Sequence, residues 1–142
     1  MNKHLTWVKE ILWVRDWLIA NDWLEDHVKV EFAYDRRSSY YGFSEVINLN
    51  LDEVEDEEKF SDLENIHIQV FLHEVGHHLH NQAIDLETFN VLREIYSQGL
   101  KVVERIEEEK IQLELYQKLP LEAEAEMARE ELYKQIKQAG VI

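Results

Sequence analysis

"HEVGHHLH", residues 73–80, places four histidines and one glutamate in eight positions of a chain that has seven histidines among 142 residues. In an α-helix, at about 100° per residue, His77 lies about 40° round from His73 and one turn along. Both imidazoles can then reach one ion at about 2.0–2.1 Å from each nitrogen. Glu74 stands beside that face. On the same wheel Ile68, Phe71, Leu72, Val75 and Leu79 cluster between about 160° and 260°, almost opposite the two histidines. The spacing therefore predicts a helix with a core stripe on one side and a metal-binding imidazole pair on the other. His78, at about 140°, falls at the core edge and reads as a packed structural histidine. His80 points along the metal face but overshoots the ion by more than a turn, and suits a helix-end cation meeting the dipole. Gly76 costs a helix about 1 kcal/mol relative to Ala, and reads as room for another element to approach.

His73, Glu74 and His77 form H-E-x-x-H, a zinc-hydrolase pattern. A zinc ion lowers the pKa of its bound water towards about 7, and Glu74 is placed to accept the proton and pass it to a leaving amine. Ile66 and Val70, below the histidines on their own face, would give the ion an apolar floor. A catalytic zinc takes a third protein ligand and keeps one open position. The chain has no cysteine, so the third ligand is a carboxylate or a distant histidine. "LEAEAEMARE", residues 121–130, carries Glu122, Glu124 and Glu126 on a helix whose apolar edge is Leu121, Ala125, Ala128 and Leu132. The two alanines let this helix lie close to the first. Glu122 and Glu124 flank that edge about equally, and helix geometry leaves both open.

The remaining segments supply layers for the core stripe. Residues 4–20 read as a helix, with Trp7, Ile11, Val14 and Leu18 at helical spacing and Val8, Leu12 and Ile19 widening the apolar face. Trp13 and Trp17 fall outside that stripe, and are expected to pack under another element or to form a contact surface. "HVKVEFAY", residues 27–34, alternates Val28, Val30 and Phe32 against Lys29 and Glu31, as a half-buried strand does. "EVINLNL", residues 45–51, alternates with Val46 or Ile47, then Leu49 and Leu51. "DRRSSYYGF" between them reads as a hairpin-like connection, and the acidic run "LDEVEDEEKF" as a solvated loop. The motif helix is expected from about Ser61, where Ser61 and Glu64 have capping-box spacing, to about His80. Residues 85–119 are helical in pattern with a break near "SQGL". Pro120, the only proline, suits the first turn of a last helix that frays into "AGVI". The order predicts one α+β domain over residues 1–142.

Thirty acidic against 15 basic residues give a net charge of −15, which repels a phosphate backbone and argues against direct nucleic-acid binding. No apolar run approaches the roughly 18–20 residues that span a bilayer, and "MNKHLTWVKE" lacks the features of a signal peptide. No membrane partner and a cytoplasmic location are the expectations. The same acidity permits an alternative, a non-catalytic acidic interaction or inhibitor protein that acts through its charged helices.

"HEVGHHLH", preceded by "INLNL" and followed by a Glu-Ala helix, resembles the ImmA/IrrE family of small zinc metallopeptidases over about residues 40–135. The resemblance implies a zincin-like fold: an N-terminal helix, a small antiparallel or mixed sheet of two to three strands, the H-E-x-x-H helix, then long C-terminal helices. It also implies Zn2+ as cofactor, with His73, His77 and Glu122 as ligands and Glu74 as the catalytic base. Ala125 fits the E-x-x-A-[DN] helix of that family, and Glu126 takes the orienting place, where the family has the shorter Asp or Asn. Ala128 stands where a Phe is usual. The implied activity is a narrow-specificity endopeptidase cleaving a regulatory protein such as a repressor, as family members of mobile elements often do; the alternative above would be an anti-defence factor on the same scaffold. Tyr34, Arg36, Arg37, Tyr40 and Tyr41 are the candidates for stabilising an oxyanion.

Overall fold

A computed structural model describes residues 3–58, 63–83, 86–105 and 120–142. Helix α1 (Lys3–Ala20) buries Trp7, Ile11, Val14 and Leu18, the stripe set by its spacing. Val8 and Ile19 pack half-buried beside it. Leu12 is exposed, contrary to the expectation that it widens the face; it sits about 100° round from Ile11, on the edge of the stripe that packs on α3. The two outlying tryptophans divide, with Trp17 against the core and Trp13 64% exposed.

Three short strands follow, β1 (Lys29–Glu31), β2 (Ser39–Tyr41) and β3 (Val46–Asn48), ordered β1-β3-β2. β3 runs parallel to β1, with Val30 opposite Ile47, and antiparallel to β2, with Tyr40 opposite Ile47. The hairpin expected between the two sequence-predicted strands is therefore replaced by a crossover holding a strand of its own. Asparagine side chains organise that connection. Buried Asn48 accepts from the Ala33 amide and donates to the Arg37 carbonyl. Asn50 donates to the carbonyls of Tyr34 and Arg36. Val28, Ile47, Leu49 and Leu51 are fully buried, which decides between Val46 and Ile47 for the inward position.

The acidic run is a helix, α2 (Leu51–Glu58), rather than a loop. Asn50 Oδ1 caps it by accepting from the amides of Asp52 and Glu53, and those two carboxylates favour the positive end of the helix dipole. Leu51 and Val54, three apart, anchor it in the core. The motif helix α3 (Ile66–Ala83) begins later than the capping-box spacing implied. Asn65, at φ 51°, accepts from the amides of Ile68 and Gln69 through its carbonyl; Ser61 lies outside the described residues. Ile68, Phe71, Leu72 and Val75 are fully buried, as the wheel requires.

Helix α4 (Leu86–Val103) runs through Gly99 without the expected break and ends in a turn at Glu104 and Arg105. Val103 is buried and Leu100 half-buried, while Ile106, Ile111, Leu113 and Leu115 lie outside the described residues. The last helix, α5 (Pro120–Gln138), starts at Pro120 and does not fray. The Gly140 amide donates to Lys137, and the Val141 amide to Ile136, with Gly140 at φ 74°. These two hydrogen bonds close the helix end and fold Val141 and Ile142 back onto the core. Among the described residues the architecture is α+β, with five helices around a small mixed sheet. No described helix is long and apolar enough to cross a membrane. The most extensive pairing between described elements is α3 with α5, and it builds the site.

Candidate metal centre

Gly76 is where α5 crosses α3. A Cβ there would lie 2.7 Å from the Ala125 carbonyl oxygen, 3.0 Å from Ala125 Cα and 3.1 Å from Ala128 Cβ. The missing side chain on α3 and the two alanines on α5 together bring the helix backbones into contact between the two histidines of the pair, about one turn from Glu122 on α5. That approach delivers Glu122. Its Oε2 lies 2.7 Å from His73 Nε2 and its Oε1 3.2 Å from His77 Nε2. The two imidazoles meet edge to face, with ring centroids 4.9 Å apart. One donor atom from each of His73, His77 and Glu122 lies within 4.8 Å of the other two, a spacing from which small side-chain shifts would place all three about 2.0–2.2 Å from one ion.

Between the two carboxylates that the helix pattern left open, the structure brings Glu122 to the histidines, buried, and leaves Glu124 exposed. Glu126 approaches the other nitrogen of the same ring, with Oε1 3.1 Å from His73 Nδ1. It is itself held by Arg129, whose guanidinium also reaches Gln69 of α3. Glu74 is buried beside the pair, and its Oε2 has no hydrogen-bond partner among the described residues. An ionisable oxygen left without a partner in the interior is costly, and a nearby cation would offset that cost.

The electrostatics follow from burial and close pairing. Burial opposes charge on the His73 ring, but its contacts with Glu122 and Glu126 and the nearby charge of Glu74 prevail and raise it to about 10. Burial likewise opposes charge on Glu122, yet hydrogen bonds from His73 and His77 hold it well below the usual carboxylate range. Glu74 goes the other way: desolvation pushes it up to about 7, against the attraction of His77 and His73. One carboxylate is thus kept charged, as a ligand requires, while its neighbour sits where a proton can be taken up and released near neutral pH. Metal-free, the cluster is held together by the ion pair of His73 with Glu122 and by the 3.2 Å contact of Glu122 with His77; a divalent cation would replace the His73 proton in that arrangement.

His78 is fully buried, as its place on the wheel implied, with partners that the wheel could not name. Its Nε2 lies 2.6 Å from Glu25 Oε2 and its Nδ1 2.7 Å from the Tyr40 hydroxyl. A carboxylate can only accept, so Nε2 carries a proton towards Glu25, and the Tyr40 hydroxyl pairs with Nδ1. This chain ties β2 and the turn after α1 to the motif helix. The hydrogen bond from His78 also holds Glu25 below the usual carboxylate range. Of the candidate oxyanion partners, Tyr40 is engaged with His78, whereas Tyr34 and Tyr41 are exposed, as are Arg36 and Arg37. His80 is half-buried near the end of α3 and belongs to no described donor cluster. Ile66 is buried and Val70 half-buried against the core.

The chain matches no family model, no curated protein and no solved structure.

Proposed function

We propose that the chain is a zinc-dependent endopeptidase of narrow specificity that cleaves a regulatory protein such as a repressor. The observation that supports this reading is the convergence of His73, His77 and Glu122 from two helices, with Glu74 buried next to His73 in sequence and its Oε2 without a hydrogen-bond partner among the described residues. The donor set of two imidazoles and one carboxylate suits zinc with a coordination position left open. When bound, the ion would supply Lewis acidity towards a scissile carbonyl and acidify a water. Glu74, poised near neutral pH, takes the proton of the attacking water and returns it to the departing amine. Glu126 orients His73 through Nδ1, and Glu122 keeps its charge at any physiological pH. The resemblance of "HEVGHHLH" and the Glu-Ala helix to ImmA/IrrE metallopeptidases supports the same ligand set.

The test is co-expression of wild type and Glu74→Gln with the products of neighbouring genes, followed by metal analysis of both purified chains. Loss of one co-expressed protein with wild type alone, at equal zinc content, is the expected result. Equal cleavage by both chains would overturn the assignment of Glu74. Intact biological function in Glu74→Gln without any cleavage would favour the acidic interaction protein instead.

A further inference from the structure

We propose a second divalent-metal site, formed by His4, Asp52 and Glu55, which shares no residue with the first and clasps the opening turn of α1 to α2. One donor atom from each of the three lies within 4.8 Å of the other two. His4 Nε2 is 2.9 Å from Glu55 Oε2 and 3.9 Å from Asp52 Oδ1. Donors bound to one ion at about 2.0–2.2 Å stand roughly 3–3.5 Å apart in octahedral or tetrahedral geometry, and the observed separations straddle that range. Asp52 and Glu55, three apart on α2, project from the same face.

The imidazole is also held in place. Its ring stacks between Trp7 (centroids 5.7 Å apart, 20° between planes) and Tyr34 (6.1 Å, 13°), and the side chain is only 16% exposed. A histidine serving merely as a surface cation has no need of an aromatic slot that fixes its plane and aims Nε2 at two carboxylates. The 2.9 Å contact with Glu55 accounts for one of those carboxylates. Asp52, at 3.9 Å, is too far for a hydrogen bond, and a cation of higher charge would draw it in.

Charge favours occupancy. Residues 52–57 of α2 carry five carboxylates, Asp52, Glu53, Glu55, Asp56 and Glu57, and a protonated imidazole offsets one of them where a divalent ion offsets two. One imidazole with two carboxylates suits Zn2+, Co2+ or Mn2+. Asp52 and Glu55 are 68% and 42% exposed, so water completes the coordination and binding is weaker than at the first centre. Because α2 also packs on α3, an ion here would brace the helix beside the motif.

Equilibrium dialysis of the full chain against Zn2+, with bound metal counted by elemental mass spectrometry, tests the site. The expected values are two ions per chain for wild type, one for His4→Gln, one for Asp52→Asn/Glu55→Gln, one for His77→Ala and none for His4→Gln/His77→Ala. Unchanged stoichiometry in both His4→Gln and Asp52→Asn/Glu55→Gln overturns the proposal, as does a wild type that binds one ion and loses it in His77→Ala. A single ion lost in His4→Gln but kept in His77→Ala supports this site and removes the first centre instead. Should His4→Gln unfold by circular dichroism, the double carboxylate variant decides, since its side chains are exposed.

Discussion

Replacing Gly76 by Ala tests whether the backbone approach of α5 to α3 builds the candidate metal centre. Read from α3 alone the change should stabilise, since Ala is about 1 kcal/mol better than Gly inside a helix. The crossing reverses the sign. The added methyl would meet the Ala125 carbonyl at 2.7 Å and Ala125 Cα at 3.0 Å, and both are backbone atoms that no rotamer change can move; Ala128 Cβ, at 3.1 Å, closes the third side. Relief requires α5 to retreat by about half an ångström, and overpacking of this kind costs about 1–3 kcal/mol. After the propensity gain, the net loss is about 0–2 kcal/mol, a fall of up to about 1 M in the urea midpoint for a typical denaturant slope. The retreat also carries Glu122, one turn before Ala125, away from the 2.7 and 3.2 Å contacts with His73 and His77. Zinc affinity should fall by about tenfold, corresponding to roughly 1.4 kcal/mol. Urea unfolding of the metal-free chain and zinc competition against a chromophoric chelator read the two effects separately. A midpoint equal to or above wild type, with unchanged zinc affinity, would refute the crossing at Gly76.

Other expectations concern protons and hydrogen bonds. Because His73 is raised to about 10 in the metal-free chain, binding a divalent ion must displace its proton, so affinity should climb by about tenfold per pH unit between pH 7 and 9; a flat profile across that range would contradict the ion-pair picture. The same shift gives the metal-free chain stability that is fully present below about pH 6.5 and is lost as pH rises through about 10. Glu122, depressed from its usual value of 4.5, contributes stability above that value which is lost as pH falls below it. Glu122→Gln should flatten both limbs, which urea midpoints from pH 3 to 10 would show, and an unchanged curve would count against the pairing. Tyr40→Phe removes the hydroxyl that serves buried His78 Nδ1 and should cost about 1–3 kcal/mol; a thermal midpoint equal to wild type would mean that water replaces it freely. Trp13→Ser, at a site 64% exposed, should leave stability within about 0.5 kcal/mol, and a larger loss would place Trp13 in a contact.

What could be read from the linear chain was whatever depends on neighbours within a turn or two. The shared face of His73 and His77, the place of Glu74 beside it, the core stripe of α3 and the buried stripe of α1 all follow from 3.6-residue periodicity. The start of α5 at Pro120 likewise follows from local backbone chemistry. Where the reading went astray, a local pattern was outvoted. The carboxylates of α2 looked like a loop until the Asn50 cap and the buried pair Leu51 and Val54 held them in a helix. Gly99 looked like a break, yet an isolated glycine costs a helix only about 1 kcal/mol. The parallel pairing of β1 with β3, against the hairpin suggested by the turn residues between them, needed Asn48 and Asn50 to pin the crossover.

Tertiary structure alone decided which carboxylate meets the histidines. Glu122 and Glu124 are equivalent on an isolated helix, and 49 residues separate His73 from Glu122. The choice is made by the rotation of α5 about its axis, set where Ala125 and Ala128 seat against Gly76. Helical periodicity says which residues share a face; only the packing of one helix on another says what that face meets.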